Sequence, residues 1–168
     1  VAAGTLTLVE RSDAGRTEDP AWSPDGAWLA YSFWTDPRPT AIKLYDLANN
    51  TATLVTQPEF RDFSPAFDPE GKHLYFLSVR TFDPVYDSVQ FELSFPRAMR
   101  PYLIALKRGG RPPFDPLPKG MNCDDGEGRG DRKAKAGVEK APVVVDLDGI
   151  AQRVAPFPVA EGRFAQIA

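Results

Sequence analysis

A tetrapeptide that returns after 45 residues is the strongest constraint on the fold of this chain. Residues 23–26 (Ser-Pro-Asp-Gly) return as residues 68–71 (Asp-Pro-Glu-Gly), and the residues on both sides return with them. Proline at the second position favours a type I turn, and glycine at the fourth releases the chain into the next strand. A repeat of this length, built from short strands, is typical of a β-propeller blade.

The segments that follow the two turns read as strands buried on both faces. Residues 28–34 and 73–79 are rich in aromatic residues, and apolar side chains occupy both of their faces. A blade packed between two neighbouring blades has this pattern. In one blade we predict strands near residues 20–22, 28–33, 41–45 and 51–56. In the next we predict strands near residues 65–67, 74–79 and 100–106.

A second echo predicts the outer strands of a blade. Residues 42–47 lead through Asn49-Asn50 to residues 53–56, and residues 143–147 lead through Asp148-Gly149 to residues 153–154. Both pairs of linking residues are of the kind found in hairpin turns. We therefore expect each unit to form the two outermost strands of its blade.

The fold class that we predict is all-β, with about three four-stranded antiparallel blades of a six- to seven-bladed propeller. The blades are expected near residues 17–57 and near 61–107 plus 142–158. Residues 5–9 are predicted to end a preceding blade, and residues 163–168 to begin the next. Residues 108–141 are rich in glycine, proline and charge of both signs, so we expect a mobile insertion.

The length of the chain argues against a closed ring. Without the 34 residues of the insertion, 134 residues remain, which is close to three repeats of 45. Propellers close with about four to eight blades. We therefore expect an incomplete ring whose open blade faces drive self-association. The chain begins at Val1 rather than Met, which fits a processed or truncated piece.

Charge and cysteine content narrow the possible partners and compartments. The net charge is −3, from 20 basic and 23 acidic residues, so no strong field attracts nucleic acid or an anionic membrane. No apolar run approaches the roughly 20 residues needed to span a bilayer. The single cysteine, Cys123, excludes an internal disulfide and fits a reducing compartment. We expect a cytoplasmic protein with no nucleic-acid or membrane partner.

At this level of detail the residues resemble a known family. Residues 21–32 are similar to the repeat of TolB-like and tricorn-type propellers. The more specific match is to the bacterial tricorn-type serine proteases, and it rests on residues 64–78, 82–87, 95–97, 100–103, 146–150, 153–154, Pro158 and 162–164. The placement resembles the second propeller, just upstream of the catalytic half.

The resemblance implies a non-catalytic role for this portion. In that family the propellers are thought to filter and channel peptides toward a distant site with a serine nucleophile, a histidine base and an acidic partner. It implies as partners peptides, the remaining blades, and PDZ and catalytic domains of a parent protein. No catalytic residue can be carried over to this chain, and no cofactor or metal is implied.

The residues that could form a catalytic or metal site are better explained by structural roles. His73 is the only histidine, and it occupies the strand position that matches Trp28. Asp146 and Asp148 flank a predicted hairpin turn, where aspartate is common. Cys123 has no second cysteine or nearby histidine, so metal-ligand spacing fails. We expect no catalytic, cofactor-binding or metal-binding residue among them.

Two short motifs in the insertion carry no specific chemistry. Residues 126–130 contain three glycines but lack the strand, helix and Lys-Ser/Thr of a phosphate loop. Residues 129–131 spell Arg-Gly-Asp, an adhesion tripeptide that arises readily by chance in a charged linker.

The aromatic residues leave two readings open. Trp22, Trp28, Tyr31 and Trp34 could stack on peptides, although aromatic side chains at this spacing more often form blade core. The long aromatic and acidic loop of residues 82–96 is the one predicted binding region. Packing of this loop on a neighbouring domain explains it equally well.

Two functional hypotheses follow from different classes of protein. The first is a propeller segment that gates or channels peptides in a tricorn-type peptidase. The second is a stand-alone TolB-like propeller that serves as an interaction module with no link to proteolysis.

Overall fold

The computed structural model describes residues 4, 6–82, 84–87, 92–95, 97–115 and 141–167. The strands of blade 1 are β1 (Glu18–Trp22), β2 (Trp28–Trp34), β3 (Thr40–Asp46) and β4 (Thr51–Leu54). Those that follow are β5 (Arg61–Phe67), β6 (His73–Val79), the short hairpin β7 (Val85–Asp87) and β8 (Glu92–Ser94), then β9 (Met99–Ala105) and β10 (Val154–Pro156).

These strands form two four-stranded antiparallel blades. Blade 1 runs in the order β1-β2-β3-β4, and blade 2 in the order β5-β6-β9-β10. A single parallel bridge, Thr40 with Arg61, connects the described strands of one blade to those of the other. The prediction of all-β propeller blades is confirmed.

The repeated tetrapeptides form equivalent turns with different side-chain chemistry. Gly26 N–H donates to the Ser23 carbonyl and Gly71 N–H to the Asp68 carbonyl, each at 2.9 Å, and both glycines have positive φ, 75° and 67°. The Asp68 carboxylate accepts the N–H groups of Glu70 and Lys72, both at 2.8 Å. One carboxylate therefore closes the second turn.

In the first turn two side chains, those of Ser23 and Asp25, accept the backbone N–H groups. The Ser23 hydroxyl accepts from the Trp28 N–H at 2.9 Å and donates to Asp25 at 2.6 Å. Asp25 accepts the Ala27 N–H through the same oxygen, so its second carboxylate oxygen is available to the N–H of Val143 at 2.6 Å. This bond ties a segment 118 residues away to blade 1.

The innermost strands of the two blades are also linked by the repeat. Asp19 and Ser64, 45 residues apart, both have a φ of 53°, and each lies where the register of its strand shifts. The Asp19 carboxylate accepts the Ser64 N–H at 3.0 Å. The Ser64 hydroxyl in turn accepts the Ile167 N–H at 3.5 Å. Equivalent residues of the two blades thus each bind the segment that follows: Asp19 binds β5, and Ser64 binds the segment at Ile167.

The hydrophobic core lies between the blades. Fully buried side chains of blade 1 meet those of blade 2, and the 3₁₀ turn Ile150–Arg153 adds Ile150. The buried members are Ala30, Ile42, Leu44, Val55, Leu74, Phe76, Ile104, Leu106, Val143 and Ile150. Leu74 and Phe76, alternate residues of β6, therefore lie in this core, while Tyr75 on the opposite face contacts Phe157.

For its second unit, the second echo was wrong about the strand at residues 143–147, whereas the strand predicted near residues 153–154 forms as β10. Residues 143–147 form no strand, because β9 already pairs with β6 over seven residues and takes the third position. The segment instead contacts the end of β9, where Asp146 N–H donates to the Leu106 carbonyl at 2.9 Å. Gly149, with a φ of 65°, then leads into the 3₁₀ turn and β10. The first unit forms the predicted hairpin of β3 and β4.

The expected strands at the two ends of the chain do not form in the described residues. Residues 6–10 and 163–167 have no strand pairing, although Gly162 makes an isolated bridge with Met99. The predicted count of about three blades thus corresponds to two formed blades and these flanking segments.

Part of the predicted mobile insertion packs on blade 2. Arg108 N–H donates to Asp146 at 2.7 Å, and the rings of Phe114 and Phe157 lie 5.2 Å apart. Residues 108–115 therefore make specific contacts with residues 146 and 157. Residues 116–140 of that prediction lie outside the described residues, and residue 141 is exposed.

The two turn glycines provide a matched test of packing. A Cβ at Gly71 would lie 2.4 Å from Val143 Cγ2, whereas one at Gly26 would meet nothing within 4 Å. We expect Gly26→Ala to cost about 1 kcal/mol for its left-handed backbone. Gly71→Ala should cost about 1–3 kcal/mol more, for overpacking. Urea unfolding measures both, and Val143→Ala should remove most of the difference; equal losses would contradict the packing described.

The pKa of Asp25 predicts an acid-dependent contribution to stability. Burial opposes its ionisation, but the hydrogen bonds from Ser23, Val143 and Ala27 outweigh burial and hold the pKa below the usual 3.8. The charged form therefore stabilises the fold above that value, and this stabilisation is lost as pH falls through the folded-state pKa. The difference in unfolding free energy between wild type and Asp25→Asn should shrink on acidification. A pH-independent difference would refute it.

Candidate functional site

A buried ion pair lies at the seam between the blades. Asp62 is fully buried, and both of its carboxylate oxygens accept from Arg80 Nη2, at 3.0 and 3.2 Å. The Ser78 hydroxyl donates to the same carboxylate and accepts from Arg80 Nε at 2.7 Å. Burial raises the pKa of Asp62, although the Ser78 hydrogen bond and the Arg80 charge oppose that rise.

The same cluster reaches across the seam to blade 1. The Thr40 hydroxyl donates to the Asp62 carbonyl at 2.7 Å, and the Thr56 hydroxyl accepts the Ile42 N–H at 2.9 Å. A hydrogen bond from Thr56 also favours the ionised Asp62. Polar groups of the two blades are therefore joined in one buried network beside the apolar core.

Aromatic rings hold the guanidinium of Arg80 in place. Its central carbon lies 4.8 Å from the ring centre of Phe60, 4.7 Å from that of Tyr102 and 5.5 Å from that of Phe76. These distances are within the range of cation–π attraction. The guanidinium is thus fixed both at its edge, by Asp62, and by aromatic faces.

Arg80 opens onto a cleft of about 300 Å³, which we call the seam cleft. Its lining comes from the segment that joins the blades and from blade 2 with its 3₁₀ turn. The lining residues are Gln57, Phe60, Arg80, Tyr102, Ala151, Gln152 and Val154. Sequence reasoning did not identify this site. The signal it lacked was register: Asp62 pairs with Ser78 in the sheet, and Arg80 comes two residues later.

The predicted binding loop of residues 82–96 carries an exposed aromatic surface. The side chains of Phe82, Tyr86 and Phe95 are 78%, 62% and 42% exposed, and the rings of Phe82 and Phe95 lie 5.0 Å apart. The loop leaves the blade directly after Arg80 and contains the β7–β8 hairpin. Exposed apolar surface of this kind marks interaction sites. Residues 83, 88–91 and 96 of this loop lie outside the described residues.

Among the residues that the structure describes, His73 has an acidic partner but no nucleophile within hydrogen-bond distance. Its Nδ1 lies 3.6 Å from an Asp68 carboxylate oxygen, and its Nε2 lies 3.1 Å from the Arg111 carbonyl oxygen. Its ring stacks on Tyr75 at 6.3 Å. In a catalytic triad the second ring nitrogen contacts a serine or cysteine. Here it faces a backbone carbonyl, so the ring anchors residues 108–115 to blade 2.

Asp146 and Asp148 both serve one arginine. Asp146 accepts the backbone N–H of Arg108, and Asp148 forms an ion pair with the Arg108 guanidinium. This arrangement holds a turn. Cys123 and residues 126–131 lie outside the described residues. Within the described ranges, no group of three or more His, Cys, Asp or Glu side chains could hold a metal ion.

The aromatic side chains of blade 1 divide between core and surface. Tyr31 is 2% exposed, and Trp28 packs against the core. Trp22, in contrast, is 58% exposed at the end of the innermost strand. The core interpretation therefore holds for Tyr31 and Trp28 but not for Trp22. In the part of the chain that the structure describes, no helix is long and apolar enough to cross a membrane.

Comparison with known proteins gives consistent matches. The model of the tricorn protease second beta propeller domain matches residues 1–168. Tricorn protease homolog 1 of Streptomyces coelicolor is 38% identical over 98% of this chain, and a tricorn protease homolog of Saccharolobus solfataricus is 34% identical over 96%. The crystal structure of the tricorn protease matches 95% of this chain, with a TM-score of 0.75 and 29% identity.

The chain spans only a small part of these proteins. It covers 15% of the length of the Streptomyces relative, 13% of the Saccharolobus relative and 15% of the crystallised chain. In each case the match describes one portion of a much longer protein.

A double-mutant cycle tests the buried pair. Arg80→Met should cost about 3–5 kcal/mol at neutral pH because it leaves the Asp62 carboxylate buried without its cation. Asp62→Asn with Arg80→Met should cost less than Arg80→Met alone, because no charge is then buried. Urea unfolding of the wild type, both single variants and the double variant measures the coupling. Strictly additive losses would mean that the two side chains do not act as a pair.

Proposed function

The chain belongs to the tricorn protease second β-propeller family, and we propose that it gates or channels peptides toward a serine protease site elsewhere in the full-length protein. The observation that carries this proposal is the family match over residues 1–168. The portion itself is proposed to be non-catalytic. Its partners would then be peptides and the remaining blades, PDZ and catalytic domains of the parent protein.

The geometry of His73 supports a non-catalytic role. Both ring nitrogens face structural partners, Asp68 and the carbonyl of Arg111. A general base needs one ring nitrogen within reach of the proton that it removes. Recruiting His73 for catalysis would therefore require the segment around Arg111 to leave blade 2.

The exposed aromatic loop supports a role in guiding peptides. Phe82, Tyr86 and Phe95 present apolar surface at the end of blade 2 where β6 leaves the sheet. Aromatic faces contact varied peptide side chains without demanding one sequence. Self-association of the isolated chain through open blade faces, and a cytoplasmic location, stay predictions of this proposal.

The test uses the full-length protein with a length series of peptides. Phe82→Ser combined with Tyr86→Ser should lower kcat/KM several-fold for peptides of ten or more residues and leave a dipeptide reporter unchanged. Leu47→Ser is the matched control, since Leu47 is 41% exposed in the turn between β3 and β4, at the opposite end of its blade. The isolated 168-residue chain should cleave none of these peptides.

Two outcomes would refute the proposal. Unchanged length preference in the loop variant would remove the role in guiding peptides and favour an interaction module. Turnover by the purified isolated chain that disappears in His73→Ala would show that this portion is itself catalytic.

A further inference from the structure

The seam cleft contains the guanidinium of Arg80, which has hydrogen-bond donors to spare. Arg80 spends Nη2 on Asp62 and Nε on Ser78. Its Nη1 has no hydrogen-bond partner among the described residues, and a guanidinium carries five N–H donors in a rigid fork. Phe60 and Tyr102 lie against the guanidinium and, like Arg80 itself, line the cleft, so the guanidinium is held at the site.

The charge of the cleft selects the kind of acceptor. The Asp62 carboxylate, which does not line the cleft, neutralises the charge of Arg80. The other six lining residues are uncharged. A carboxylate ligand would therefore place a second negative charge close to that of Asp62. Arg80 already compensates the charge of Asp62, so the desolvation cost of the ligand carboxylate would not be offset. A neutral oxygen acceptor avoids this cost.

The rest of the lining matches one kind of neutral acceptor. The side-chain amides of Gln57 and Gln152 each offer both donors and an acceptor. A peptide unit presents one carbonyl and one N–H, and therefore complements such a set. Phe60, Tyr102, Ala151 and Val154 supply apolar surface for a small side chain. A volume of about 300 Å³ is at the lower end for ligand sites.

We propose that the seam cleft binds an uncharged segment of peptide backbone, with a carbonyl of the peptide accepting from Arg80 Nη1 and its amides paired with Gln57 and Gln152. The site is thus selective for the interior of a peptide over its free carboxyl end. The source of the ligand rests on the proposed function, since the peptides would be those that the propeller guides.

The experiment measures binding to the 168-residue chain by amide chemical-shift mapping. The probe is N-acetyl-trialanine amide, and the comparison is N-acetyl-trialanine with a free carboxylate. The blocked peptide should shift the amide resonances of the cleft residues and bind more tightly than the carboxylate form. Gln57→Ala with Gln152→Ala should weaken its affinity by about fivefold for each hydrogen bond lost, on the order of 1 kcal/mol.

Both glutamines are exposed, so the double variant should fold. Gln166→Ala is the matched control, an exposed glutamine outside the cleft, and it should bind like wild type. Three results would each overturn the proposal: no shift at the cleft, tighter binding of the carboxylate form, or unchanged affinity in the double variant. Binding here and peptide-length preference in the full-length protein are separate readouts, so either proposal can fail while the other stands.

Discussion

The buried network around Asp62, which pairs with Arg80 and contacts Thr40 and Thr56 of blade 1, is the interaction on which the join between the blades depends. Asp62 is fully buried, and an unpaired carboxylate in that position would be strongly destabilising. Arg80 packs against Phe60 and Tyr102 while it pairs with the Asp62 carboxylate, and Thr40 of blade 1 donates to the Asp62 carbonyl. Because these partners belong to different segments, the positions of β3, β5, β6 and the linking loop are fixed together. The seam cleft lies beside this cluster, and Phe60, Arg80 and Tyr102 form part of its lining.

The repeat made the blades predictable, while contacts distant in sequence were not. Proline and glycine in the tetrapeptides specify their turns locally, so the turns and the strands after them agree with prediction. The second echo failed at residues 143–147 for a physical reason: a segment can add to a sheet only at a strand edge that is still unpaired. β9 already pairs with that edge of β6. The residues around Val143 do not reveal this pairing, because it is made by a different segment of the chain.

The candidate site shows the same limit. An exposed aromatic loop after Arg80 could be anticipated from composition, and the structure does place Phe82 and Phe95 together at the surface. The seam cleft could not be anticipated, because Gln57 and Gln152 are 95 residues apart and meet only when both blades are folded. The contact of His73 with Arg111 could not be anticipated either, because it depends on a segment that composition alone had assigned to a mobile insertion.

The join between the blades has a consequence for how such proteins change over evolution. Within each blade the strands are held by continuous backbone ladders, whereas the described strands of neighbouring blades share one bridge, Thr40 with Arg61. Most of the other described polar contacts between the blades are made by side chains, such as those of Asp19 and Thr40. Side chains change by point substitution. The same blade can accordingly be reused in rings of different circumference, and a blade can be gained or lost by duplication or deletion while the ladders of the others stay intact.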